Sequence, residues 1–387
     1  MILNHIKTTM RRLFIFTALV VSCFGDFELF AGTPAKADVN RRTPLNELLA
    51  GDLQWRSTGP LVSAQPRPDG PGIAVKDPTV VFAKGRWHIY ATDIYAPNRP
   101  LGMVYLSFAD WKEASQAKQI PIRRVTTTHC APEVFFFRPK QKWYLLYQVF
   151  DGKTPGLPGP GVSTLDDIDK PESLSEPHPL FSTMPASVLA RKWIDFWIIC
   201  DGTHAYLFFL NDDGLFYRSR TSLGRFPDGW SEPEVVLKDG KRDLFEACCV
   251  YRLKGTSKYL AIIECVEHTR TGERYFKSFV ADQLDGAWTP VNTSPQHLFA
   301  GSTNVIFAEN VLAWTVNISH GELLRDGYDE TLTLDPNQLR FLYQGWNNQD
   351  YFPLPPGQKP GYRHIPWQFG LLESIAPRHD LPSQLNQ

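Results

Sequence analysis

Lys76-Asp77-Pro78-Thr79-Val80-Val81-Phe82-Ala83-Lys84-Gly85-Arg86-Trp87-His88-Ile89-Tyr90-Ala91-Thr92 reads as one hairpin. A polar residue opens a short apolar strand, a turn with glycine where positive φ is often needed follows, and a second strand rich in aromatics returns. The same scheme recurs along the chain. Its openers are Asp77, Glu133, Asp195, Glu246 and, less clearly, Ser302, at intervals of 56, 62, 51 and 56 residues. A quasi-period near 50 residues built from hairpins is what a β-propeller displays, one repeat per blade. The first residues of each innermost strand would then sit at one mouth of the central channel. Four of the five openers are carboxylates, so acids from different blades could converge there.

Around this repeat, composition narrows the class of protein. Lys7, Arg11 and Arg12, the apolar run Leu13 to Phe24, and Ala35-Lys36-Ala37 before Asp38 follow the order of a secretory signal peptide. Residues 1–37 are therefore expected to be a leader and 38–387 a single propeller domain. At about a dozen residues the apolar run is short of the roughly 20 that span a bilayer, and no later segment comes closer, so a soluble, secreted protein is expected. Lipoprotein processing at Cys23 is the competing reading. With 40 basic and 41 acidic residues the net charge is −1, which excludes a large basic field for nucleic acid and a polybasic membrane anchor. A monomer is expected.

Cys130, Cys200, Cys248, Cys249 and Cys265 follow the leader. Their odd number and the apolar strands around most of them favour buried free thiols over a disulfide framework, and no Cys-x-x-Cys suggests zinc. Two sequons, at Asn292 and Asn317, decide nothing. Residues 38 to about 75, rich in Pro, Gly and Arg, read as a lead-in that wraps or plugs the propeller, with a helical turn at Leu45 to Leu49. Asp151 to Gly161 reads as a turn-rich loop. Asn211-Asp212-Asp213-Gly214 resembles a calcium loop but lacks the closing bidentate acid, so it reads as a hairpin turn. The fifth blade is expected to use Asn304 to Ala308 and Val311 to Val316.

Two carboxylates on opposite sides of a sugar are the minimal apparatus for glycoside hydrolysis. Asp77, beside the Lys76 ammonium, suits the ionised form that a general base needs. Glu246, in Leu-Phe-Glu-Ala, is expected to be desolvated and so kept protonated as a general acid. Asp195 lies among aromatics in Trp-Ile-Asp-Phe-Trp. Glu133 occupies the same repeat position, so periodicity alone does not choose three from four.

These segments also carry a family resemblance. Lys76 to Phe82 with Trp87-His88, Ala131-Pro132-Glu133-Val134-Phe135-Phe136-Phe137 with Trp143-Tyr144-Leu145, Trp193-Ile194-Asp195-Phe196-Trp197, Leu244-Phe245-Glu246-Ala247 and Ile318-Ser319-His320-Gly321-Glu322 together resemble glycoside hydrolase family 62, the secreted α-L-arabinofuranosidases. The similarity covers residues 55 to 374. It implies a five-bladed β-propeller that removes arabinofuranosyl groups from arabinoxylan with inversion. Asp77 then corresponds to the base, Glu246 to the acid and Asp195 to a third carboxylate that orients the acid and holds its pKa up. Glu133 is outside that set. The resemblance further implies that His320 contacts an axial Ca2+ ion largely through water, that Arg274 lies near the bound arabinose, and that Lys76 reaches a sugar hydroxyl. Tyr362 would offer an aromatic face to the xylan backbone; Arg363 replaces the asparagine usual beside it, and a guanidinium only donates. No counterpart of the family's N-terminal disulfide is visible. Two other readings remain: a related five-bladed glycosidase acting on arabinan or xylosides, and a non-catalytic carbohydrate-binding propeller.

Overall fold

A computed structural model describes residues 43–375, apart from 69, 123–126, 151–157, 189–192, 269–271 and 348–353. The leader, Cys23 and most of the Asp151 to Gly161 loop lie outside the described residues; Gly159 to Gly161 open a strand instead. The chain folds as a five-bladed β-propeller. None of its described helices is long and apolar enough to cross a membrane.

Blade 1 comprises, from axis to rim, Ala74–Ala83, Arg86–Ile94, Gly102–Phe108 and Ile120–Ile122. Blade 2 repeats this with Thr128–Phe137, Lys142–Phe150, Gly159–Leu165 and His178–Pro179. Blade 3 uses Ile194–Cys200, His204–Leu210, Leu215–Ser222 and Glu234–Lys238. Blade 4 uses Glu246–Leu253, Tyr259–Val266, Arg274–Ala281 and Thr289–Asn292. Each inner strand is nearly all buried because it faces neighbouring blades on both sides, which accounts for continuous apolar runs such as Val134 to Phe137. The core lies between blades, as where Phe137 of blade 2 meets Phe226 at 4.6 Å between ring centroids. All five described cysteines are buried free thiols. Both sequon asparagines are buried, and Asn292 Nδ2 donates to Gly51 O at 2.7 Å.

The fifth blade departs from the expected one. Its inner strand is Ser319–Leu323, followed outward by Arg340–Gly345, Gln368–Ile375, Gln54–Ser57 and Val305–Phe307. Ser302 opens no inner strand, Val305–Phe307 lies at the rim, and Val311 to Val316 form no strand. The true inner strand, Ser-His-Gly-Glu-Leu, is polar because it lines the axis, so apolar patterning passes over it. The described part of the lead-in joins blade 5. It forms the helix Pro44–Ala50, capped by Thr43 and ended by Gly51 at φ 81°, and then Gln54–Ser57, which pairs antiparallel with Gln368–Ile375 and joins the two ends of the propeller.

Trp55 anchors that closure: it is fully buried, and its Nε1–H donates to Phe299 O at 2.6 Å. Trp55→Ala should cost about 3–5 kcal/mol, the usual range for emptying a large aromatic site. Chemical denaturation checks this, and a midpoint unchanged from the parent would contradict it.

Candidate active site

Each inner strand breaks its own ladder near its start. The pairing register shifts between Lys76 and Thr79, Cys130 and Glu133, Ile194 and Trp197, Glu246 and Cys248, and Ser319 and Gly321. These are β-bulges, which bend a strand and re-aim its side chains. Asp77, Ala131, Asp195 and Ala247 stand in the bulges of blades 1 to 4 at φ between 48° and 54°, a region rare for non-glycine residues. His320 holds the same place in blade 5. In that frame the repeat positions are Asp77, Ala131, Asp195, Ala247 and His320. Glu246 falls one residue before it and Glu133 two residues after. The expectation that Glu133 shares the position is therefore corrected: it is fully buried and accepts from Ile198 N of blade 3 at 2.6 Å.

In four of the inner strands the bulge residue's backbone N–H is received by the neighbouring blade. Asp77 N donates to Gln344 Oε1 at 2.8 Å, Ala131 N to Thr92 Oγ1 at 2.8 Å, Ala247 N to Asp195 Oδ2 at 2.8 Å, and His320 N to Glu264 Oε2 at 3.0 Å. The same contacts that hold blades together hold the mouth's side chains in place.

Lys76, Asp77, Asp195, Glu246, Arg274, His320 and Tyr362, all singled out from sequence, line one cavity of about 340 Å3 at this mouth. Asp77 Oδ1 lies 3.1 Å from Lys76 Nζ and 3.2 Å from His320 Nδ1. Burial pushes the Asp77 carboxyl up, but Lys76, His320 and a Thr92 hydrogen bond outweigh it and hold the carboxyl below its ordinary value. Burial likewise opposes the Lys76 ammonium. Asp77, the Tyr362 hydroxyl and Glu246 more than compensate, so Lys76 stays protonated far above neutrality. Lys76 Nζ also donates to Tyr362 Oη at 2.5 Å, beneath a ring that is 52% exposed.

Asp195 is the opposite case. Burial first, then the like charges of Glu246 and Asp77, push its carboxyl up to about 8, against the Ala247 N–H and Lys76. Glu246 is less enclosed than its sequence neighbours suggest: its side chain keeps 31% exposure, and Oε1 accepts from Arg274 Nη1 at 2.8 Å. The desolvated partner of the pair is Asp195. Arg274 Nη1 also reaches Glu264 Oε1 at 3.1 Å.

Glu264 is a site residue that sequence reasoning missed. It is fully buried, accepts from Ser319 Oγ at 2.8 Å and from His320 N, and is pushed up to about 7 chiefly by burial. Its signal was a lone carboxylate inside Ile262-Ile263-Glu264-Cys265-Val266. Arg363, singled out as a substitution, donates through Nη1 to Arg99 O, so part of its hydrogen-bonding capacity is turned inward.

Among the described residues no three His, Cys, Asp or Glu side chains gather as a metal cage. The His320 ring, with the Asp77 carboxylate beside it, fits a cation only if water completes the shell.

Residues 54–373 match the profile described as Glycosyl hydrolase family 62. The chain is 40% identical over 331 residues to Alpha-L-arabinofuranosidase C of Cellvibrio japonicus, covering 84% of this chain; it spans about half (47%) of that relative's length. Among solved structures, it resembles the catalytic domain of a Coprinopsis cinerea family 62 α-L-arabinofuranosidase at 36% identity and TM-score 0.75, over 84% of this chain and 98% of that one. An α-L-arabinofuranosidase from Podospora anserina in complex with cellotriose matches at 37% identity and TM-score 0.74, over 85% and 99%. A family 62 hydrolase in complex with xylotriose matches at 35% and 0.72, over 83% and 97%.

Proposed function

The chain belongs to glycosyl hydrolase family 62, and from that premise we propose that it is an inverting α-L-arabinofuranosidase trimming α-1,2- or α-1,3-linked arabinofuranosyl groups from arabinoxylan. The observation that carries this reading is the convergence of Asp77, Asp195 and Glu246, from three blades, on one cavity of about 340 Å3. That volume lies at the small end of ligand pockets and suits one sugar better than a chain segment. Relatives solved with xylotriose or cellotriose favour a β-linked backbone beside the pocket.

In this reading Asp77, ionised at neutral pH, takes the proton of a water that attacks the anomeric carbon. Glu246 protonates the departing glycosidic oxygen. Inversion needs room for that water, so the two carboxyl groups should stand roughly 6.5–9.5 Å apart. Arg274 engages Glu246 Oε1 and leaves Oε2 to carry the proton. Asp195, pushed up to about 8 by burial and by the charges of Glu246 and Asp77, holds its proton beside Glu246 at neutral pH. Lys76 offers its remaining donor capacity to a sugar hydroxyl, and Tyr362 its exposed ring to the polymer backbone. Calcium held through water at His320 would add positive charge at the axis. Export through the leader in residues 1–37 and action as a monomer belong to the same proposal.

NMR of the sugar released from wheat arabinoxylan within minutes should show β-arabinofuranose first; early α-anomer would mean retention and a wrong role for Asp77. Asp77→Asn and Glu246→Gln should each stay folded and lose about 10²–10⁴-fold in turnover, the usual contribution of a positioned acid or base. Either variant at full activity rejects its assignment.

The Asp195 carboxyl is raised to about 8, so it keeps its proton at neutral pH and loses it on the alkaline side. Turnover should therefore fall as pH rises through about 8. In Asp195→Asn that titrating group is gone, and any residual activity should no longer fall as pH rises through about 8. An alkaline fall that stays in place contradicts the assignment.

Elemental analysis after dialysis should find calcium in the parent protein and a reduced content in His320→Ala. Equal content in the two sinks the metal assignment.

A further inference from the structure

We infer that the opposite mouth of the propeller carries a second, non-catalytic binding site for a xylan-type oligosaccharide. The inner strand of blade 1 begins beside the active site and ends at the other face: Phe82 lies five positions beyond Asp77, roughly 16 Å along a strand. Leu324 to Tyr328 follow the inner strand of blade 5 out of the same face. Together they border a cavity of about 430 Å3. A buried ion pair, Glu322 Oε1 with Arg325 Nε at 2.6 Å, lies at this end of the axis.

The lining has the chemistry of a sugar platform. Phe82 and Tyr328 are 42% and 41% exposed, among the few large apolar side chains left open to water. Both rings are braced from behind: Phe82 sits 4.9 Å from Trp87, and Tyr328 sits 5.1 Å from Trp143. On the same lining, the Arg340 guanidinium lies over the Trp87 ring at 5.3 Å and has no ion-pair partner among the described residues. Asp326 and Asp335 on the same rim are already engaged by Lys254, at 2.6 and 3.4 Å. The cavity thus offers two rigid aromatic faces for the C–H faces of pyranose rings and an uncommitted multiple donor for their hydroxyls. A bare hydrophobic partner would leave the guanidinium unpaired, and a nucleic acid would meet a rim carrying two carboxylates.

The choice of xylan rests on the proposed activity of the active site, since the polymer that feeds one mouth is the one available to the other. Held here, the protein would stay on an insoluble polymer while the active site releases side groups.

The test compares the full chain with Phe82→Ala/Tyr328→Ala and with Arg340→Gln, each also in an Asp77→Asn background that stops turnover. Retention on insoluble xylan should fall roughly tenfold or more in the double variant, as expected when aromatic contacts are removed, and by less in Arg340→Gln. Hydrolysis of p-nitrophenyl α-L-arabinofuranoside should stay at the parent level in the Phe82→Ala/Tyr328→Ala and Arg340→Gln variants that keep Asp77. Retention unchanged in both variants overturns the inference. So does a parent that is dimeric in solution and becomes monomeric on losing Phe82 and Tyr328, because the patch is then an interface. A parent that binds xylan through these residues yet releases no arabinose would refute the proposed activity and leave the second site standing.

Discussion

Everything at the active mouth depends on a bulge repeated in every inner strand. A regular ladder would satisfy each strand within its own blade and leave five independent sheets leaning on one another through apolar packing. The bulge takes one N–H out of that ladder, and a buried N–H without an acceptor is costly, so the neighbouring blade must supply an oxygen. Gln344, Thr92, Asp195 and Glu264 do so. Three of these stand on second strands; the fourth, Asp195, is itself a bulge residue. The ring is thereby keyed at the level where the reactive side chains emerge. Gly321 reflects the same crowding: a Cβ there would lie 2.2 Å from Leu342 O.

The bulge also explains how two aspartates at the mouth acquire opposite proton affinities. Asp77 and Asp195 occupy equivalent positions, and burial raises both. What differs is the residue that each blade brings alongside. Blade 1 contributes Lys76 and blade 5 contributes His320, both within 3.2 Å of Asp77 Oδ1. Blade 3 puts Ile194 where blade 1 has Lys76, and blade 4 adds a further carboxylate. One scaffold position thus yields an ionised carboxylate and a protonated one through neighbours alone.

The period, the hairpins and the first four blades were legible because strands buried on both faces write continuous apolar runs. Asp77, Asp195 and Glu246 were legible as charges interrupting those runs. The phase of the repeat was not, because a bulge inserts a residue without a fixed sequence mark; Glu133 and Glu246 could not be distinguished by spacing. The fifth blade failed for a different reason. Its inner strand is polar, its fourth strand, Gln54–Ser57, comes from before blade 1, and strands supplied by distant segments leave no local period. Glu264 needed the tertiary contact that joins it to Arg274 and Ser319, although its solitary charge in an apolar strand was visible.

The far end of the axis shows why this channel is not a pore. Glu322 and Arg325 pair there with fully buried side chains, and Arg325 Nη2 also donates to Val80 O and Val134 O, at 3.1 and 2.8 Å. Glu322 Oε2 accepts from Thr79 Oγ1 and Val80 N, so blades 1, 2 and 5 are tied at one point. An apolar plug of similar volume could be as stable, since desolvating two charges offsets much of their attraction. An apolar plug, however, could not engage three backbones at once, and removing one member of the pair would strand a buried charge at a cost of about 3–5 kcal/mol. The arrangement therefore exchanges little stability for a fixed alignment of blades 1 and 5, and that alignment sets the distance between Asp77 and His320 at the opposite mouth.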